Sequence, residues 1–404
     1  MKLKSMLFVL VAAAMATITA GAESVNQLKV SKTTYAANAA KPFIDSGELP
    51  GVINIFGKGN LLEIACVGWA DVDKKIPMSM DRTFMQCSQT KGFCGVTVAM
   101  LVEEGKISLD DPVAKYLPEF QKMQIQIKDK NGKKTRVPAK NAITIRMVMN
   151  HTAGFPFEIP TKIKKGWPAL SLRDTAKEAA SRPLLFEPGT KTQYSNTGID
   201  IGAAVIEVVT GKPWEVFLKE RVFDKLGMTD STFNPTDEQL SRAISMYNVA
   251  DKKKATYRAF AKSMPLPHNG PAVHPSAGAG LWTTANDQLK FYRMLMNLGV
   301  GDNGVRILKE DTVKKYLATS TRAAGLGNYS LGLGADFQKG TMGHGGAYGT
   351  SATVNWKKKE VRIRIVQLIG QPRPWNKEMN KEGAKFFSAK INDADTDAYT
   401  GRTN

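Results

Sequence analysis

Apolar and polar positions along this chain change period several times, and the changes predict most of its elements. "GVINIFGKGNLLEIACVGWADVD", residues 51–73, holds two β-rich runs parted by Gly57-Lys58-Gly59-Asn60, the pattern of a hairpin. A short helix is expected near residues 33–46. After Ser88 the period becomes helical. Phe93, Val96, Val98, Met100, Leu101 and Val102 make that helix apolar on most sides, and Gly105 is placed to end it. A helix so widely apolar is expected to run through the middle of the molecule.

From about 106 to 270 the signals are helical or loop-like. "SLDDPVAKYL" sets Asp111 before Pro112, a helix-start pattern. "ITIRMVMN", "GIDIGAAVIEVVTG" and "WEVFLKERVFDKLG" are apolar at helical spacing, and the last two end in glycine. Beyond 270, "TTANDQLKFYRMLMNLG" predicts another helix. "SATVNW" and "VRIRIVQLIG" then straddle Lys357-Lys358-Lys359-Glu360 as a second hairpin. A last helix is expected over about 377–391, and the polar tail 392–404 is expected to fray.

Strands at both ends with helices between predict an α+β fold, an antiparallel sheet flanked by helices with an inserted, mostly helical lobe. The expected organisation is one domain over 23–391. Its α/β lobe takes about 23–110 and 271–391, and its helical lobe about 111–270, with a cleft between them as the natural site.

The first 22 residues change the picture. Lys2 and Lys4 precede an apolar run from Met6 to Ala20, and Ala20-Gly21-Ala22 is a small-x-small cleavage signal. This is the pattern of a secretory leader, so a periplasmic or extracellular protein is expected, with no membrane span in the mature chain. Export permits disulfides, but the three cysteines argue against a framework. Cys87 and Cys94 on one helix would lie about 10 Å apart along its axis, too far to bridge. Buried thiols, Cys66 included, are expected.

The formal net charge is +19. Its basic residues are scattered, and the densest runs, Lys252-Lys253-Lys254 and Lys357-Lys358-Lys359, suit exposed turns. No aromatic-basic alternation suggests a platform for stacking bases, so nucleic-acid binding is not expected. Weak attraction to an anionic envelope polymer is.

Candidate chemistry starts at "FMQCSQTKGF", residues 84–93. Ser88 and Lys91, three apart, share a face if both are helical. Backbone N–H groups of a first turn would favour negative charge on the attacked oxygen. A lysine becomes a base only when burial or a neighbouring cation lowers its pKa. Ser88 is the one serine with lysine at that offset. In "KTQYSNTG", Tyr194 and Asn196 flank Ser195 just ahead of a helix. Tyr194 could act as a phenolate-type base or relay protons with Lys91, and Asn196 could bond both the lysine and a substrate amide. The bland reading is a tyrosine beside an N-cap asparagine. "MGHGGAYGT", residues 342–350, offers His344 to hold a substrate carboxylate. Its glycines, Gly346 among them, permit close backbone approach. The N–H of Ala347 could pair with that of Ser88 as an oxyanion hole.

The order S-x-x-K, Y-x-N, H-x-G resembles the penicillin-recognising serine hydrolases: class C β-lactamases, DD-peptidases, and esterases and aminopeptidases on the same β-lactamase/transpeptidase-like scaffold. Flanking stretches such as "VEEGKISLDDPVAKYLPEF", "MVMNHTAGFP" and "SAGAGLWTTANDQLKFYRMLMNLG" extend the resemblance over most of residues 50–370. It implies Ser88 as acylated nucleophile, Lys91 as its proton acceptor and Tyr194 as partner base. Asn196 and His344 would then position substrate. Many β-lactamases carry K-T-G where this chain has His344-Gly345-Gly346, and a neutral histidine holds a carboxylate less firmly than lysine does.

Other chemistries fit less well. The nearest match to G-x-S-x-G, His274-Pro275-Ser276-Ala277-Gly278, lacks the first glycine. The histidines are His151, His268, His274 and His344, without H-E-x-x-H or a thiol-histidine cluster, so neither metal nor cofactor is expected. His151, in "NHTAGFP", reads as a residue that fixes its loop. The expected partner is a small molecule or peptide with a reactive carbonyl: an ester, a D-amino-acid peptide or a β-lactam. The rival is a non-catalytic binder that senses cell-wall peptides.

Overall fold

The hairpin at 51–73 forms the middle of the main sheet. In the computed structural model, residues 27–401 are described, apart from 129, 160–169, 252–253, 258–273, 371–372 and 374. The proposed leader, His268, Lys252 and Lys253 lie outside the described residues. In chain order the strands are β1 (Lys29–Ser31), β2 (Gly51–Lys58), β3 (Leu61–Asp71), β4 (Gly334–Asp336), β5 (Thr341–Gly345), β6 (Ser351–Asn355), β7 (Glu360–Ile365) and β8 (Thr396–Ala398). Their order across the sheet is β4-β5-β6-β7-β2-β3-β1-β8, with Ile76–Pro77 as a short extra partner of β3. Every pair is antiparallel except β1 with β3. The two ends of the chain meet where β7 pairs with β2, from Glu360 opposite Lys58 to Ile365 opposite Ile53.

Side-chain alternation explains how this sheet is covered. In β7, Val361, Ile363 and Ile365 are buried, while Arg362 and Arg364 alternate with them. The first set joins Ile53, Ile55 and Leu62 in the main core. On the other face, Val52, Phe56 and Ala65 pack with Trp375, Met379 and Phe386. Covered on both sides, β2 is buried continuously from Gly51 to Gly57, and its one polar side chain there, Asn54, donates to Ala36 O at 3.0 Å.

Four helices matter for the site: α1 (Thr90–Glu103), α2 (Asn196–Thr210), α3 (Ala285–Met296) and α4 (Trp375–Ser388). As its composition predicts, α1 is buried on all sides from Thr90 to Leu101, and Gly105 follows its end with a φ of +67°. Phe93 of α1 stacks on Phe291 of α3 with ring centroids 3.6 Å apart. Burial of one such side chain stabilises by about 1.5–3 kcal/mol, so α1 is fixed mainly by its apolar contacts.

Several expectations need correction. The tail does not fray along its whole length, since Thr396–Ala398 pairs with β1 and the Tyr399 hydroxyl donates to Asn286 at 2.6 Å. Its few polar residues are held by backbone pairing, which hydropathy does not register. The stretch expected to be helices and loops contains a hairpin, Gln124–Lys128 with Lys134–Pro138. Alternating Ile125 and Ile127, and the Asn131-Gly132 pair, were its signal. Asp111-Pro112 leads into a single 3-10 turn, Val113–Lys115. The helix near 33–46 is two short ones, Tyr35–Asn38 and Lys41–Asp45. Cys87 and Cys94 are buried, Cys66 is half-buried, and all three are free. No helix among the described residues is long and apolar enough to cross a membrane.

Candidate active site

Ser88 does not sit in the first α-helical turn, as its spacing suggested. It lies in a 3-10 turn, Cys87–Gln89, directly ahead of α1. Cys87 enters that turn with a φ of +53°, a left-handed conformation costing a residue with a side chain about 1–3 kcal/mol. The turn is held from two sides. The Thr90 hydroxyl donates to Cys87 O at 2.6 Å, and Gln86 N donates to Leu281 O at 3.1 Å. Ser88 is thereby left half-buried between fully buried neighbours.

Lys91 follows one turn later and is completely buried. Its Nζ donates to Asn196 Oδ1 and to Gly278 O at 2.6 Å each, and lies 3.3 Å from Ser88 Oγ. The Tyr194 ring covers it, with its centroid 4.6 Å away. Burial pushes the Lys91 ammonium down to about 7, against the opposing charges of Asp200 and Glu158. A substantial neutral fraction near neutral pH follows, and a neutral amine 3.3 Å from a serine hydroxyl is able to take its proton.

Tyr194 bonds Ser88, and burial raises its phenol well above the ordinary value. A resting phenolate is therefore disfavoured, which leaves proton relay as its available role. Asn196 is not the N-cap. Ser195 caps α2, its hydroxyl accepting from Gly198 N at 3.1 Å, and this frees the Asn196 amide for the site. Gly278 comes so close to Asn196 that a Cβ there would lie 2.8 Å from the asparagine Cβ.

His344 lies on β5. Its Nδ1–H donates to Gly345 O at 2.5 Å, so Nε2 is the acceptor toward the Tyr329 hydroxyl at 3.2 Å. Burial and then the Lys91 charge hold this imidazole down to about 4, leaving it neutral. The loop beyond it folds against the nucleophile turn. A Cβ on Gly346 would collide with Thr350 Oγ1 and lie 2.5 Å from Gln86 O, so only glycine fits. The N–H groups of Tyr348 and Ala347 approach the sulfur of Cys87, the residue next to Ser88. A groove of about 410 Å3 runs on from His344 past Arg322, Asp336 and Lys339.

The fold thus brings Ser88, Lys91, Tyr194 and Asn196 into direct contact. His344 stands beside them, 6.1 Å from Tyr194 ring to ring, and Gly346 supports the turn. Sequence reasoning missed four participants. Gly278 supplies its carbonyl to Lys91 from the very stretch rejected as a nucleophile elbow. Asp200 fixes that stretch by accepting from Gly278 N at 3.0 Å and from the Ser276 hydroxyl at 3.1 Å. Tyr329 packs on Tyr194 and His344, and Glu158 accepts from Asn196 Nδ2 at 3.0 Å. Only distances reveal these, because their local sequence has no catalytic spacing. His151 does fix its loop, accepting Ser195 N on Nδ1 at 3.3 Å and Gln193 N on its carbonyl at 2.9 Å.

Comparison with known proteins places this arrangement. The family model described as Beta-lactamase matches residues 36–370. The uncharacterized protein MT1414 of Mycobacterium tuberculosis is 31% identical over 278 residues, 67% of this chain and 68% of the relative. Protein flp of Staphylococcus aureus is 28% identical over 195 residues, 48% of this chain and 37% of its own length. Among solved structures, EstCE1, a hydrolase with promiscuous acyltransferase activity, superposes with a TM-score of 0.68 at 21% identity, covering 87% of this chain and 97% of its own. Unliganded simvastatin synthase (LovD) from Aspergillus terreus gives 0.67 at 18% identity, covering 88% and 98%.

Proposed function

The chain belongs to the β-lactamase family, and from that premise we propose that it is an exported serine hydrolase working through an acyl-Ser88 intermediate. The observation that carries the reading is Lys91: a fully buried amine 3.3 Å from Ser88 Oγ, held down to about 7. A structural lysine has no need of burial beside a half-exposed serine, and burial of its charge is costly.

In the first step the Ser88 hydroxyl proton passes to neutral Lys91 as Oγ bonds to the substrate carbonyl carbon. The carbonyl π pair moves onto oxygen, where the N–H of Ser88 holds it, joined by that of Ala347 once it turns from the Cys87 sulfur. The pair then returns, the bond to the leaving alcohol or amine breaks, and Lys91 returns its proton to that group through the Tyr194 hydroxyl. Water attacks the acyl ester next and gives a proton to the same base. Ser88 Oγ leaves with a proton, and the acid departs. Asn196 and His344 position the acyl donor, which is an ester, a D-amino-acid peptide or a β-lactam. Export rests on the leader pattern of residues 1–22, and the net charge of +19 favours weak association with anionic envelope polymers.

The test is turnover of a panel containing a nitrophenyl ester, a D-alanyl peptide and nitrocefin by the wild type and by Ser88→Ala. Serine-dependent turnover of at least one donor is expected. Equal activity in the variant would refute the nucleophile. Ligand affinity without turnover in either protein would establish a binder instead.

A further inference from the structure

Asn196 is engaged at both ends. Its Oδ1 accepts from Lys91 at 2.6 Å, and its Nδ2 donates to Glu158 Oε1 at 3.0 Å. The carboxylate therefore takes one of the two amide hydrogens and leaves the other for a substrate carbonyl. Glu158 itself is exposed, as is Phe157, whose ring lies over Tyr194 with centroids 6.0 Å apart and planes at 20°. This wall is built into the fold. Pro156 O accepts from the Ser195 hydroxyl at 2.6 Å and Phe157 O accepts from Asn196 N at 2.8 Å, which tie residues 156–158 to the start of α2.

The charges around the mouth make Glu158 stand out. The chain as a whole is strongly basic, Arg373 donates to Ala347 O at 2.9 Å, and Arg322 and Lys339 border the groove beyond His344, where Asp336 is paired with them at 2.8 and 3.9 Å. Lys91 is buried and bonded. Asp200, the other carboxylate near Lys91, is buried and engaged with Ser276 and Gly278. Glu158 thus presents negative charge to solvent, one asparagine away from the catalytic lysine and beside an exposed aromatic face.

We propose that Glu158 selects acyl donors that carry a cationic group, an ammonium above all, near the reactive carbonyl. An ammonium would bond the carboxylate while its carbon chain covers Phe157, and a carboxylate in the same place would meet like charge. The inference rests on the acyl-Ser88 reading and names the substrate class for that site.

The experiment compares two triplets of esters, with neutral, ammonium and carboxylate chains of equal length. In one triplet the charge is in the acyl half, in the other in the alcohol half. For each protein, kcat/KM for the charged esters is divided by that for its own neutral ester, so that any shared change in catalysis cancels. In the wild type, the ammonium ester is expected to exceed the carboxylate ester by about tenfold in at least one triplet, the size of a partly exposed charge contact counted as attraction gained and repulsion avoided. Glu158→Gln should reduce that ratio to near one, and Glu158→Lys should invert it. In the wild type alone, raising salt from 0.05 to about 0.5 M should shrink it through screening. Turnover with ratios that neither the substitutions nor salt alter would overturn this inference and leave the hydrolase reading standing. Should no ester of either triplet turn over, the same comparison is made with D-alanyl peptides carrying the three chains, and failure of these and of nitrocefin as well would overturn both.

Discussion

Lys91 is neutral often enough to act as a base only because it is buried, and this gives a pH profile that can be worked out beforehand. Moving the amine from its ordinary 10.5 to about 7 raises its neutral fraction at pH 7 from about three in ten thousand to about one half, roughly a thousandfold. The corresponding free energy is about 5 kcal/mol. The acylation rate should therefore fall to about a tenth of its plateau at pH 6, stand near half at pH 7 and reach about nine-tenths at pH 8. His344, held down to about 4, stays neutral across this range, and Tyr194 stays protonated. Burial works against charge on His274, but its contact with Asp200 raises it overall, so the same profile should be recorded in His274→Asn. The assay is the stopped-flow burst of nitrophenol from a nitrophenyl ester between pH 5.5 and 9. A flat profile, or a limb still climbing tenfold per pH unit at pH 9, would refute the assignment.

The same burial has a cost in stability. Between pH 7 and 10.5 the unfolded chain binds a proton that the native lysine has released, so this contribution to stability rises with pH across that window and the full penalty is felt below it. Lys91→Met should accordingly gain more in melting temperature over the wild type at pH 6.5 than at pH 9.5, and an equal difference at both would contradict the lowered value. Tyr194→Phe keeps the aromatic cover over Lys91 but removes the relay. Its kcat should drop by about two orders of magnitude or more, with near-wild-type turnover counting against the relay. Gly346→Ala forces the 346–350 loop off the nucleophile turn, so turnover and thermal stability should both fall; an unchanged variant would show that the close approach is unimportant. His344→Ala should act mostly on donors bearing a carboxylate, and a loss of equal size on neutral esters would remove that role.

Much of this architecture is legible in the sequence because a few patterns are strong. The hairpin at 51–73, the all-apolar helix after Ser88 and the alternating Val361, Ile363 and Ile365 each follow from period and turn chemistry. Ser88, Lys91, Tyr194 and Asn196 were legible as spaced motifs. Other features carry no such mark. β8 is only Thr396, Asp397 and Ala398, held by backbone pairing. The Gly278 carbonyl, Tyr329, Asp200 and Glu158 reach the site from separate parts of the chain, and only the fold makes them neighbours. The capping role went to Ser195 rather than Asn196, a choice between adjacent residues of similar capping ability. The sequence leaves open whether burial or a neighbouring cation lowers Lys91. In the structure burial is the principal cause, and the nearest charges, Asp200 and Glu158, act against it.

Every step proposed for this site depends on covalent acylation of Ser88. Rapid-quench intact-mass measurement with a slowly turned-over ester or penicillin, followed by peptide mapping, tests it directly. An adduct of one acyl group is expected on the peptide containing Ser88, forming faster at pH 8 than at pH 6 and absent from Ser88→Ala. Turnover of the same compound with no adduct in the wild type, or an adduct that persists in Ser88→Ala, would contradict it.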